Sequence, residues 1–215
     1  MKKLLVLILL LSLLASLTSC SNIEYDEAEV KSTAVELIRA SALLDEILWG
    51  RGIEYVEDLN YSNGSYYMAS EISLIKYGIR TVADIESLAY ATFSARYAKS
   101  SLQSVLGVDQ SDKDEDDFVY VLVRYYQKYE DAEQNEPVCI MVNSKYEPLL
   151  CDEVEYLYDT VKVLGSDREH IYISIDARVT REEKSQINTV NISLVVENGS
   201  YKIDTPTYTS YKEAD

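Results

Sequence analysis

Residues 190–208, VNISLVVENGSYKIDTPTY, carry the most decisive pattern in the chain. An apolar, β-branched run reaches Val196, the pair Asn198-Gly199 follows, and Tyr201 to Asp204 resumes an extended aromatic and aliphatic pattern. Asn-Gly tolerates the left-handed backbone that two-residue hairpin loops require, so this stretch reads as a closing β-hairpin. Working towards the N-terminus, Val154 to Leu164, Ile171 to Thr180 and Ile187 to Val196 are further strand-like runs separated by turns, and Phe118 to Val123 is a shorter one.

Before residue 108 the period is helical. Val30, Ala34, Leu37, Ile38, Ser41, Leu44 and Leu48 form one stripe at a spacing near 3.6, with Glu27 and Glu29 at its positive end and Gly50 and Gly52 after its last turn. Thr81 and Asp84 approximate a capping box ahead of Val82, Ile85, Leu88 and Ala89. Tyr97, Ala98, Leu102, Val105 and Leu106 continue in helical spacing to Gly107, whereas Tyr66 to Ile75, after the turn cluster Asn60 to Ser65, reads as a short strand. Helices first and strands second predict an α+β fold, with N-terminal helices on an antiparallel sheet. The expected single domain spans 30–211, divided into a helical part 30–107, an acidic linker 108–117 and a β-rich part 118–208.

The linker holds six acids and one Lys between Asp109 and Asp117. Asp112, Asp114 and Asp116 alternate like calcium ligands, but Asp117 stands where the calcium-loop motif needs glycine, so a solvated linker is the expectation. Across the 215 residues, 37 acids against 20 Lys and Arg give a net charge of −17. With no basic stripe to release counterions, nucleic acid is excluded as an expected partner.

The first 20 residues, MKKLLVLILLLSLLASLTSC, place Lys2 and Lys3 before an apolar run from Leu4 to about Leu14 and a small-residue stretch ending at Cys20. This is the anatomy of a secretory signal, and the run is too short and interrupted for a stable membrane span. Leu17-Thr18-Ser19-Cys20 resembles the lipobox of bacterial lipoproteins. That resemblance implies cleavage after residue 19, lipidation of Cys20, and a tether over 20–29 holding the domain to the extracytoplasmic face of the cell membrane. Removing residues 1–19, which carry two Lys and no acid, takes the net charge from −17 to −19.

The hairpin at 190–208 resembles the closing hairpin of the cone-shaped nuclear-transport-factor-two-like and ketosteroid-isomerase-like superfamily, with Tyr201 where members often have Trp. The stretch Thr81 to Leu106 is loosely similar to a secreted inhibitor family that blocks cell-wall DL-endopeptidases. These resemblances imply helices against a strongly curved, cone-like sheet and, for function, noncovalent binding or inhibition of an envelope protein, peptide or peptidoglycan fragment. The alternatives are an isomerase- or hydrolase-type enzyme in the cone cavity and a passive structural lipoprotein.

With Cys20 committed to lipid, Cys139 and Cys151 remain. Folding 138–150 as a hairpin about Lys145 sets them opposite each other, which points to a disulfide; the alternative is two small buried thiols. His170 is the only histidine, and together with these cysteines it lacks zinc-ligand spacing. It reads as a strand-end residue rather than a triad member, so the sequence nominates no catalytic residue, no metal site and no cofactor. The 19 tyrosines, against two Phe and one Trp, make Tyr the main aromatic of the core. Tyr156 and Tyr158, two apart on one strand and therefore on one face, are the candidate binding pair. Four Asn-x-Ser triplets, at Asn60, Asn63, Asn191 and Asn198, read as chance beside a bacterial lipobox.

Overall fold

The computed structural model describes residues 22–57, 62–107, 123–129 and 137–213. The segment expected to be a signal peptide, Cys20, the acidic linker with its candidate calcium loop and all but the last residue of the strand expected over Phe118 to Val123 lie outside the described residues.

Helix α1 (Glu27–Leu48) starts where Asp26 accepts hydrogen bonds from the backbone of Ala28 and Glu29, and all seven residues of the expected stripe are buried. Ahead of it the chain is already pinned: the Ile23 backbone N–H donates to the Asp167 carbonyl at 2.8 Å, and the Ile23 carbonyl accepts from Ser166 Oγ at 3.0 Å. The folded part therefore begins within a few residues of Cys20, earlier than the tether expected over 20–29.

Strands β1 (Ser62–Asn63) and β2 (Tyr66–Met68) follow. The strand expected over 66–75 stops at Met68, because Ser70 and Glu71 open a short helix, α2 (Glu71–Tyr77). Gly78, at φ 67°, ends it, with its N–H and that of Ile79 taking the last carbonyls at 3.1 and 3.0 Å. Helix α3 (Val82–Thr92) begins with the capping box read from Thr81 and Asp84, and the bonds from the Arg80 and Thr81 backbone hold the Asp84 carboxyl below its usual range. Helix α4 (Ala95–Gln103) ends earlier than expected, because Leu106–Gly107 leaves it as a parallel strand, β3, beside β4 (Tyr125–Tyr129).

Two sheets replace the single sheet expected. Strands β1, β2, β4 and β3, with β5 (Pro137–Asn143) between β2 and β4, form the first, in the order β1-β2-β5-β4-β3. The second is an antiparallel meander of β6 (Glu153–Ser166), β7 (Ile171–Arg181), β8 (Lys184–Glu197) and β9 (Ser200–Ile203), which matches the C-terminal reading closely. Strand β6 shifts register between Leu157 and Lys162 and again between Val163 and Gly165. Thr160 fills the first irregularity, donating to the Leu157 carbonyl and accepting from the Asp176 N–H at 2.6 and 2.8 Å. Helix α1 packs on β6, β9 and α3, and α3 reaches β4. Both sheets and the helices thereby share one buried cluster that includes Ile38, Leu48, Tyr125, Ile140, Ile173 and Leu194.

The β8–β9 hairpin closes at Asn198-Gly199 as read, with Glu197 paired to Ser200. The β7–β8 hairpin does the same with Glu182 and Glu183 at φ 48° and 68°, a backbone disfavoured for both residues, with two like charges side by side. Glu183→Gly is expected to stabilise the protein by about 1 kcal/mol, a rise of roughly 2–4 °C in the unfolding midpoint. An unchanged or lower midpoint contradicts this account of the turn.

One buried cation organises the junction between the sheets. No basic residue stands in the last turn of α1, and Arg124 supplies one from β4's approach, donating from Nη2 to the Gly50 carbonyl at 2.7 Å. Its guanidinium lies over Tyr146 at 4.7 Å, and it is 3% exposed. Tyr125, next in sequence, donates its hydroxyl to the Ile47 carbonyl at 2.8 Å and accepts from the Ile53 N–H at 2.9 Å.

Candidate functional site

A cleft of about 310 Å³ opens between α1, the loop before β6 and the C-terminal tail. Its construction follows from local geometry. Ala42, Asp45 and Glu46 come from neighbouring positions on one side of α1, and Val154 and Tyr156 from alternate positions of β6. The loop Leu149 to Asp152 is drawn in because the N–H groups of Leu149 and Leu150 both donate to the Trp49 carbonyl, at 2.8 and 3.0 Å. The tail contributes Tyr208, Thr209 and Ser210, and β7 contributes Arg181.

The tail has no regular structure after Ile203 and is held by side chains instead. Asn188 Nδ2 donates to Thr209 Oγ1 and to the Ser210 carbonyl, and the Tyr211 N–H donates to Asp152 Oδ2 at 2.7 Å. Arg181 binds Asp152 through two parallel bonds of 2.5 and 2.8 Å and lies over the Tyr211 ring. That pairing holds the Asp152 carboxyl below its usual range and leaves the Arg181 charge neutralised.

Thr207, 1% exposed, ties the tail to α1. Its carbonyl accepts from the Tyr156 hydroxyl at 2.9 Å, and its Oγ1 lies 2.9 Å from Ser41 Oγ and 3.1 Å from Asp45 Oδ2. Asp45 is 6% exposed, and burial pushes its carboxyl up to about 7, against the lowering effect of the Thr207 bond. Proton counting links these atoms, because Thr207 has one hydroxyl proton for two partners. When Asp45 is neutral it donates to Thr207, Thr207 to Ser41, and Ser41 to the Ile38 carbonyl, 3.0 Å away. When Asp45 is ionised the chain reverses, with Ser41 donating to Thr207 and Thr207 to the carboxylate. Both arrangements use the same heavy-atom positions.

The candidate pair Tyr156 and Tyr158 is brought together, with ring centroids 6.4 Å apart. Only Tyr156 reaches the cleft, and it is buried with its hydroxyl committed to Thr207. Tyr158 lies under the Arg39 guanidinium, 4.7 Å from it. Tyr208, 44% exposed and tilted against Trp49, is the accessible aromatic of the cleft.

The cysteine hairpin is corrected by the sheet. Strand β5 is flanked by β2 and β4, so Cys139 faces Lys128, and the chain after Asn143 runs to the end of α1 instead of folding back. Cys139 and Cys151 are free thiols, the first half-buried and the second exposed at the cleft. His170 sits between Asp167 and Asp204, 3.7 and 3.4 Å away. Asp204 also takes Ser94 and Arg96, so the histidine meets an acid and not the hydroxyl, and no triad forms there. Among the described residues no three His, Cys, Asp or Glu side chains converge as a metal site.

Asp45 does not stand out in the sequence because the stripe of α1 is traced through apolar and small residues, which passes over an acid beside Leu44. The signal that could have found it is its spacing, since 45 lies four residues after Ser41 and beside Leu44, on the buried stripe. Comparison of the chain with family models, with curated proteins and with solved structures returns no match.

Proposed function

We propose that this protein is a lipid-anchored extracytoplasmic lipoprotein whose domain binds an envelope ligand noncovalently in the cleft around Asp45. The observation that carries the reading is a carboxyl more than nine-tenths buried in a ligand-sized cleft, where burial favours its neutral form. Perturbed acids in clefts are characteristic of functional sites, and preformed concavities with an apolar lining and few polar groups are characteristic of ligand sites. Cys20 supplies the anchor, and the early pinning of Ile23 holds the domain within about 10 Å of the lipidated residue. The helices backing a meander with a twice-bulged first strand support the cone-like reading of the domain.

The anchor is tested by fractionation. The wild-type protein is expected in membranes and to incorporate a clickable fatty acid, and Cys20→Ala is expected in the soluble fraction, unlabelled. Wild-type protein that is soluble and unlabelled refutes the anchor. For the cleft, alkylation of Cys151 is expected to slow in the presence of envelope peptide or peptidoglycan fragments, with Cys139 unaffected, and Tyr208→Ala to abolish the protection.

A second reading, proton-transfer catalysis of the isomerase or hydrolase kind in the same cleft, is favoured by one observation. A carboxyl titrating near 7 suits a general acid or base. The hydroxyls of Tyr156 and Thr207 are already committed, so binding without turnover remains the reading the geometry supports best.

A further inference from the structure

The charge balance of the cleft narrows its ligand. Its acids are Asp45 and Glu46 on α1 and Asp152 in the loop, and its one cation is Arg181 on β7. Arg181 and Asp152 neutralise each other through two hydrogen bonds. The other titratable groups around Asp45 are three phenols, Tyr97 on α4, Tyr156 on β6 and Tyr208 on the tail, and the Cys151 thiol in the loop. Among the described residues lining the cleft no other positive charge remains for Asp45 and Glu46; Thr209, Ser210 and Cys151 are the neutral polar part of the wall, and Ala42, Leu149, Leu150, Val154 and the two tyrosine rings are its apolar part.

Asp45 adds a second observation. Its side chain is more than nine-tenths buried, and among the described residues the one hydrogen bond to its carboxyl is Thr207's, on Oδ2. Oδ1 is the oxygen left for a ligand. A buried carboxylate with a vacant acceptor position is satisfied best by a cation that also donates hydrogen bonds. An anion would meet two acids, and a guanidinium would need a wider planar seat than the one free oxygen of Asp45 provides.

Resting on the reading of this cleft as a binding site, we propose that its ligand is a primary ammonium on a short apolar stem, with the nitrogen held by Asp45, Glu46 adding negative charge to the same cleft, and the stem along the tyrosine-lined wall. The cation requires the ionised form of Asp45, so it reverses the Thr207–Ser41 hydrogen-bond chain and releases one proton when it binds below neutral pH. The sign follows directly: affinity rises as pH rises, because less of the binding energy is spent on deprotonating Asp45, and it levels off once Asp45 is ionised without ligand.

The test is calorimetric titration of the full-length protein with hexylamine and with a lysine derivative blocked at its α-amino and carboxyl groups, against hexanoate and hexan-1-ol. The two amines separate a free alkylamine from a peptide lysine as the source of the ammonium. Either amine is expected to bind about tenfold more tightly per pH unit from pH 5 towards 7 and then to plateau, with proton release read from buffers of different ionisation enthalpy. Asp45→Asn is expected to abolish the pH dependence and weaken binding at pH 8 at least tenfold, and Glu46→Gln to weaken it several-fold with the pH slope intact. Binding independent of pH, or unchanged in Asp45→Asn, overturns the proposal. If hexanoate or hexan-1-ol shields Cys151 as well as the amines do, the cleft is a binding site but not for an ammonium. If no probe binds at any pH, the ammonium assignment falls, and the Cys151 protection by envelope fragments decides separately whether the cleft binds anything.

Discussion

Gly52→Ala is expected to destabilise the protein by at least about 3 kcal/mol, whereas Gly78→Ala, at nearly the same backbone angle, is expected to cost only about 1. Both glycines have positive φ, 78° and 67°, so the intrinsic penalty of an L side chain is shared. They differ in what the new methyl group meets. At Gly78 there is nothing within 4 Å, whereas at Gly52 a Cβ would lie 2.0 Å from Arg124 Nη2 and 2.4 Å from the Tyr125 hydroxyl. Those two side chains are neither exposed nor free to swing aside. Arg124 Nη2 satisfies the Gly50 carbonyl, and the Tyr125 hydroxyl serves Ile53 and Ile47 at once. Displacing them leaves several buried polar groups unpaired, at about 1–3 kcal/mol each. Thermal unfolding of the two variants measures the difference directly, and with roughly 2–4 °C per kcal/mol the Gly52 variant should melt about 10 °C lower. Equal midpoints would show that the α1 terminus can relax around the added carbon.

Asp45→Asn is expected to do the opposite at alkaline pH. The folded-state carboxyl titrates at about 7 against an ordinary value of 3.8, so folding favours its neutral form. Below pH 4 the group is neutral in both states and its contribution is fully present. Between about 4 and 7 the unfolded chain loses its proton while the folded chain keeps it, so stability falls as pH rises. Above 7 the loss is complete, and three pH units correspond to about 4 kcal/mol, an order-of-magnitude figure for a buried acid. Asparagine presents an N–H₂ where the neutral acid presents its O–H, so it can serve Thr207 and carries no charge to desolvate. Denaturant unfolding from pH 4 to 8 should therefore show a decline in the wild type and a flatter profile in the variant, which should be the more stable of the two at pH 8. Parallel profiles would mean that Asp45 is ionised in the folded protein across the whole range.

A buried acid in a cleft, expected to lower stability at neutral pH, is the strongest single reason to look for function there. It also separates the two readings of the site. A binding site gains from Asp45 only when a ligand supplies the missing charge, whereas a general base needs a reacting proton and a free donor beside it. With Tyr156 and Thr207 already committed, the cleft provides the first arrangement more readily than the second.

Patterns that are local in sequence read correctly. The stripe of α1, the capping box at Thr81 and Asp84, the four strands of the C-terminal meander and the Asn198-Gly199 turn each depend on residues within a few positions of one another. Helical period, strand alternation and turn chemistry act at that range, which is why the α+β class was legible. The errors fall where local signals compete or run out. Tyr66 to Ile75 has aromatic and aliphatic strand character, but Ser70, Glu71 and Gly78 provide helix ends, and the helix prevails after Met68. The cysteine hairpin failed because β5 is taken by neighbours on both sides, one of them more than sixty residues upstream, and pairing at that distance leaves no mark on residues 138–150.

The candidate site shows the same division. Amino-acid order alone determined that Asp45 lies on α1, that Tyr156 and Tyr158 share a face, and that Cys20 closes a signal-like segment. Only tertiary structure decided that Asp45 faces Thr207, 162 positions away, and that Tyr156 spends its hydroxyl on the same residue's backbone. Burial, and with it the cost of a charge, is a property of what packs against a side chain. For Asp45 that is the tail, which no periodicity in the sequence ties to the first helix.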